Sequence, residues 1–106
     1  MRRPLRVKIL GKVYRIRVIT ERAEGFEEGD YGQCDDDKQL ISLIAGRSLG
    51  NDQDTLLHEL IHAICFQMNV ADKMGKHEEA VVQAIATGLL AVLKDNRGLV
   101  SYLRSK

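Results

Sequence analysis

Cysteine is scarce in this chain of 106 residues: Cys34 and Cys65 stand far apart and outside any CxxC spacing. Neither a disulfide scaffold nor a thiolate zinc site is indicated, and both read as free thiols. Aromatic residues make up 5% of the sequence, and none interleave with the basic residues as a stacking platform for single-stranded nucleic acid. No apolar run approaches membrane-spanning length. The N-terminal "MRRPLRVKIL" lacks the apolar stretch and small-residue cleavage site of a secretory signal, so the expectation is a cytoplasmic protein with no membrane partner. There is also no internal repeat, low-complexity tract or linker, which leaves a single domain over residues 1–106.

What is present is a globular composition, with 44% hydrophobic and 29% charged residues. The net charge of +1 hides an asymmetry: residues 1–22 hold eight Lys or Arg against Glu21 alone, whereas residues 23–59 hold ten acids against Lys38 and Arg47. The basic residues alternate with apolar ones in "RVKIL" and "VYRIRV", the pattern of a solvated strand face, which argues against a nucleic-acid partner. Three consecutive acids, Asp35, Asp36 and Asp37, read as a solvated loop rather than a cation site.

The period-two segments "LRVKIL" and "KVYRIRVI" predict a β-hairpin turning at Gly11-Lys12, with Val13, Ile16 or their neighbours inward. "TERAEGFEEGDYGQCDDDK" predicts loop with a short strand around Tyr31 to Cys34, and "KQLISLI" a further strand. From Asp52 the period changes. Apolar residues at 56, 57, 60, 61, 64, 65 and 68 predict a helix capped by Asn51, Asp52 or Asp54 and ending near Asn69. "VADKMGK" reads as a connector, "HEEAVVQAIATGLLAVLKDN" as a second long helix to about Asp95, and "LVSYLRSK" as a final turn or strand. The expected fold class is α+β: a small antiparallel or mixed N-terminal sheet followed by two long packed helices.

Within the first helix, "TLLHELIHAICFQ" places His58 and His62 one turn apart on one side, with Glu59 about 100 degrees round the axis. This is the HExxH spacing, in which two neutral imidazoles hold Zn²⁺ and the glutamate accepts a proton from the water it activates. By average composition, chance produces it in a chain of this length on the order of a few times in a thousand. Polar groups among Leu57, Leu60, Ile61 and Ile64 each need a buried partner, and one metal serves both rings.

A catalytic zinc takes three protein ligands and keeps an open position. His77, Glu78 and Glu79 are the candidates for the third. Glu79 is favoured because it lies on the stripe of Val82, Ala86, Leu89/Leu90 and Leu93 that would face the first helix. Glu78 shares a face with Val81, Ile85 and Leu89 and comes second; a helix N-terminus favours acids in any case.

"TLLHELIHAI" followed by "EEAVVQAIATGLLAVLKDN" resembles the small HExxH zinc metallopeptidase-like proteins of phages and prophages, of the gluzincin pattern, and more distantly ImmA/IrrE-type metallopeptidase domains. The preceding "YGQCDDDKQLISLI" is similar to their strand before the active-site helix, so the likeness covers roughly residues 30–96. The resemblance implies a minimal zincin-like domain that hydrolyses peptide bonds, with His58, His62 and Glu79 as Zn²⁺ ligands, Glu59 as general base, and a peptide or protein as substrate. An extended substrate would add to a sheet edge, for which "QLISLI" is the expected strand. Tyr31, His77 and Tyr102 are chemically capable oxyanion donors, and the spacing selects none of them. The alternative is a catalytically weak or inactive zinc-containing binding or regulatory module, in which His77 or Cys65 would complete a four-ligand structural site.

Overall fold

Alternation in the first twenty residues builds a hairpin of β1 (Arg6–Ile9) and β2 (Lys12–Ile19), in the antiparallel register Ile9↔Lys12 to Arg6↔Arg15. The two-residue turn is Leu10-Gly11, one position earlier than the Gly11-Lys12 expectation. Both residues have positive φ, 49° and 87°, the requirement of a type I′ turn, and only the glycine meets it without steric penalty. The inward residues are Tyr14 and Ile16, whereas Val13 is exposed. The computed structural model describes residues 2–22, 25–27 and 29–106; Ala23, Glu24 and Glu28 of the expected loop lie outside the described residues.

Strand β3 (Gly32–Asp35) and strand β4 (Leu40–Ile44) form a second antiparallel hairpin, and β4 then pairs parallel with β2, from Arg15↔Leu40 to Ile19↔Ile44. The sheet order is therefore β1-β2-β4-β3, which is mixed, with β1 and β3 at the edges. "QLISLI" was the expected substrate strand. Both of its edges are already paired; β1 and β3 are the edge strands, and β3 is the one that lies nearest the histidine helix.

Four helices follow: α1 (Leu49–Gln67), the short α2 (Ala71–Met74), a 3₁₀ turn over Gly75–His77, then α3 (Glu78–Asp95) and α4 (Leu99–Arg104). Helix α1 starts one turn before the expected cap residues. Ser48 is its cap, in extended conformation, with a side chain that accepts from the Asn51 amide. Asn69, at φ 59°, leaves the helical region and ends the run.

One face of the sheet packs on α1. Ile9, Tyr14, Ile16, Ile41, Leu43 and Ala63 form the buried cluster, flanked by Val7, Cys34, Leu56 and Leu60. Each such side chain removed from water stabilises by about 1.5–3 kcal/mol. Helix α3 packs on α1 through Val82 and Ala86, both fully buried. Leu90 and Leu93 continue that stripe half-buried, while Leu89 is exposed. Among the described residues no helix is long and apolar enough to cross a membrane.

Candidate metal centre

The i, i+4 spacing on α1 brings the two imidazoles edge to face, with ring centroids 4.7 Å apart and their Nε2 atoms 3.1 Å apart. The first turn of α3 delivers a carboxylate to the same point. Glu79 places Oε1 2.7 Å from Nε2 of His58 and Oε2 3.0 Å from Nε2 of His62. His58, His62 and Glu79 can each offer one ligand atom, all within 4.8 Å of one another. An ion with ligands at about 2.0–2.1 Å in tetrahedral array separates those ligands by about 3.3 Å. The set therefore fits a metal after opening by a few tenths of an ångström.

Glu78 does a different job from its neighbour. Its Oε2 lies 2.5 Å from Nδ1 of His62, on the far side of the ring from Glu79. A carboxylate there fixes the hydrogen on Nδ1 and turns the Nε2 lone pair toward the shared point. That lone pair then faces the Glu79 carboxylate and the His58 ring, acceptor against acceptor. A proton on Nε2 or a cation at the shared point would satisfy such a cluster.

Glu59 is 7% exposed, like His58, and its carboxylate lines the cleft without accepting a hydrogen bond from any described residue. Burial pushes its pKa up to about 7; His62 opposes the rise, and Glu79, Asp30 and Asp36 add to it. The cause is the loss of water around the charged form. Gly32 on β3 makes this burial possible: a Cβ there would sit 2.6 Å from Thr55 Cγ2 and 3.1 Å from Glu59 Oε2. The missing side chain lets the sheet edge approach the face of α1 that carries the carboxylate.

The cleft has a volume of about 400 Å³ and runs between β3 and the helices, with Gly32, Gln33 and Cys34 along one wall and Glu59, His62, Glu78 and Glu79 along the other. Glu79 leaves it open to solvent, its side chain 73% exposed. Asp36 is part of the cleft and is not the solvated residue expected of an acidic run. It accepts from the Tyr14 hydroxyl at 2.8 Å and from the Cys34 thiol at 3.5 Å. That thiol is pushed far up, by burial first and by Asp36 next, and stays protonated at neutral pH.

The remaining candidates do not join the ligands. His77 is exposed at the start of α3, and Tyr102 is 76% exposed on α4. Cys65 is buried, its thiol pushed up by burial, and it lies outside the ligand cluster. Tyr31 lies under the guanidinium of Arg47, 3.8 Å from its ring centroid, and borders a smaller hollow beside His58 and Glu79. Sequence reasoning missed the orienting role of Glu78 and the contribution of Gly32. A glycine inside the expected strand around Tyr31 to Cys34, in a segment ahead of the helix, was the available signal for the second. In comparisons with known proteins the chain matches no family, no curated protein and no solved structure, so the meaning of the site rests on its own geometry.

Proposed function

We propose that the protein is a metal-dependent peptidase in which His58, His62 and Glu79 hold a divalent ion, Zn²⁺ by donor chemistry, and Glu59 is the general base. The observation that carries this is the convergence of His58, His62 and Glu79 beside a buried carboxylate, Glu59, that has no hydrogen-bond partner among the described residues. Two imidazoles and one carboxylate, with solvent on the fourth side, are the donor set of a catalytic rather than a structural zinc. When bound, the ion supplies Lewis-acid polarisation of a carbonyl and lowers the pKa of water.

The chain supplies the rest. Glu59, buried beside the proposed ligands and lining the cleft, is placed to accept a proton and return it to a leaving amine. Glu78 holds the His62 ring, and Glu79 contributes the negative charge among the ligands. The outer edge of β3 offers the amides and carbonyls of alternate residues, Gly32 and Cys34, to an extended peptide, laying its backbone along the cleft.

The test has two parts. Purified protein is expected to bind one zinc per chain and to cleave an unfolded protein substrate such as casein. Glu59→Gln should keep the zinc and lose cleavage by about 100-fold or more, the scale of general-base catalysis. Zinc at unit stoichiometry with cleavage unaltered in Glu59→Gln would refute the catalytic assignment. Failure of the wild type to bind zinc at all would remove the metal centre itself.

A further inference from the structure

The hairpin register settles where the N-terminal cations point. Val7 pairs with Tyr14, and both Tyr14 and Ile9 turn toward α1. By the alternation of a strand, Arg6, Lys8, Arg15 and Arg17 stand on the opposite face of the sheet, and all four are exposed. Arg6 and Arg15 are direct cross-strand partners. Like charges placed opposite each other in an antiparallel pair repel. Among the described residues none of the four makes an ion pair. Arg17 instead donates to the Ser42 hydroxyl at 2.6 Å, and Asp35, the acid on the outer side of β3, accepts from the Lys38 amide in its own turn.

Five of the acids are meanwhile gathered on the other side of the sheet. Asp30, Asp36, Glu59, Glu78 and Glu79 all line the cleft. The outer face thus holds a concentrated positive charge that the described protein does not neutralise. It also has relief: a hollow of about 330 Å³ is bounded by Arg6, Arg15 and Arg17 with Leu5, Val13 and Leu40. Three of the four cations are arginines, whose planar forks suit phosphate oxygens. Arg15 and Arg17 are two residues apart on one strand, about 6.8 Å, so they can follow successive charges along a linear polyanion.

Alternation alone reads this face as merely solvated and argues against a nucleic-acid partner. Its gathered cations, unpaired among the described residues, reverse that reading, and we propose that it binds the phosphodiester backbone of duplex DNA. The face is one side of a four-stranded sheet in which β2 is paired on both edges, so it meets a duplex as a surface laid across the phosphate strands. The four cations contact phosphate, which positions the protein on the duplex without reading its sequence. Binding is independent of base sequence and of the metal centre, which faces the other side.

The experiment is fluorescence anisotropy of a labelled DNA duplex of about twenty base pairs, titrated with the full chain at low and moderate salt. Binding is expected with a dissociation constant in the range of about 1–100 µM, the span of non-specific association. Four phosphate contacts give a slope of log K against log salt of about −3.6, so affinity falls about 100-fold between 50 and 200 mM salt. Lys8→Glu/Arg15→Glu should weaken binding at least about 10-fold and reduce the slope by about 2. Lys94→Glu/Arg97→Glu makes the same change in net charge at the end of α3 and should leave binding within about 3-fold. Circular dichroism confirms that each variant is folded; Glu at position 15 replaces the repulsion with Arg6 by an attraction, so the hairpin pair should fold. Three results would each overturn the assignment: no binding at about 100 µM in low salt, equal losses in the two charge-reversal pairs, or binding to phosphatidylserine vesicles without binding to the duplex.

Discussion

Adjacent glutamates at the start of α3 should separate cleanly on substitution, because they meet the histidines on opposite sides. Glu79 touches Nε2 of both rings, at 2.7 and 3.0 Å, whereas Glu78 touches only Nδ1 of His62, at 2.5 Å. Loss of a carboxylate behind a ligating imidazole typically lowers metal affinity 10- to 100-fold, about 1.4–2.7 kcal/mol. Glu78→Ala should therefore raise the zinc dissociation constant within that range while keeping one ion per chain. Glu79→Ala removes a ligand and its charge, so the loss should exceed about 100-fold and abolish stoichiometric retention on desalting. The metal-free proteins should rank the other way in stability. The Glu79 side chain is 73% exposed and its contacts are shared with solvent, so its removal costs little, whereas Glu78, 25% exposed, gives up a charged hydrogen bond worth about 1.5–3 kcal/mol. The assay is competition against a chelating zinc dye, paired with urea unfolding of the metal-free variants. If Glu78→Ala released the zinc and Glu79→Ala retained it, the ligand assignment would be refuted; equal effects would refute the division of roles.

Gly32→Ala should destabilise the protein by about 1–3 kcal/mol through the clash with Thr55 Cγ2; Gly32→Ala/Thr55→Ser, which removes that methyl, should recover part of the loss in urea unfolding, and no recovery would point to another cause. Leu43→Ala empties a fully buried position between sheet and α1, so a loss of about 2–5 kcal/mol is expected by denaturant titration, and a change below about 1 kcal/mol would contradict the packing described. The Tyr14 hydroxyl is pushed up to about 12, mainly by burial and then by the carboxylate of Asp36. A raised acid pKa means that the folded state keeps a proton the unfolded chain releases, so this contribution is complete below about pH 10 and drains away between about pH 10 and 12. Wild type should thus lose more stability over that interval than Tyr14→Phe; parallel losses would remove Tyr14 as the group responsible.

The histidine pair was legible in the sequence because both residues lie on one helix and the helical period alone fixes their relation. Glu79 required a packing argument. It shares a stripe with Val82 and Ala86, and those two residues are the ones buried against α1, which turns Glu79 rather than Glu78 toward the Nε2 atoms. That the second glutamate would orient His62 from behind was not readable, since it depends on the lateral offset of the two helices. The start of α1 was hidden by Gly50, a poor helix former, and by three stronger-looking caps downstream of Ser48. Sheet order was the larger miss. Period two identified the first hairpin, while the β3 segment showed no sustained period, and nothing local in "QLISLI" says that it inserts between β2 and β3. Asp36 looked solvated because Tyr14, its partner, is 22 residues away in the chain.

Insertion of β4 into the middle of the sheet has a kinetic consequence. The two hairpins close over short loops, while the parallel ladder joins residues 25 apart in the chain, as Arg15 is from Leu40. Loop closure grows more costly with separation, and parallel pairing adds no local hydrogen bonds to offset it in advance. The β2–β4 ladder is therefore the step that should govern the folding rate, with each hairpin formed before it. The buried cluster that seats α1 draws Tyr14 and Ile16 from the first hairpin and Ile41 and Leu43 from the second. Until those hairpins meet, α1 has half a surface to rest on and the wall of Gly32 has no fixed distance from Glu59. The cleft comes into being late, and a chain that stalls before this step carries the histidines on a helix with no cleft beside it.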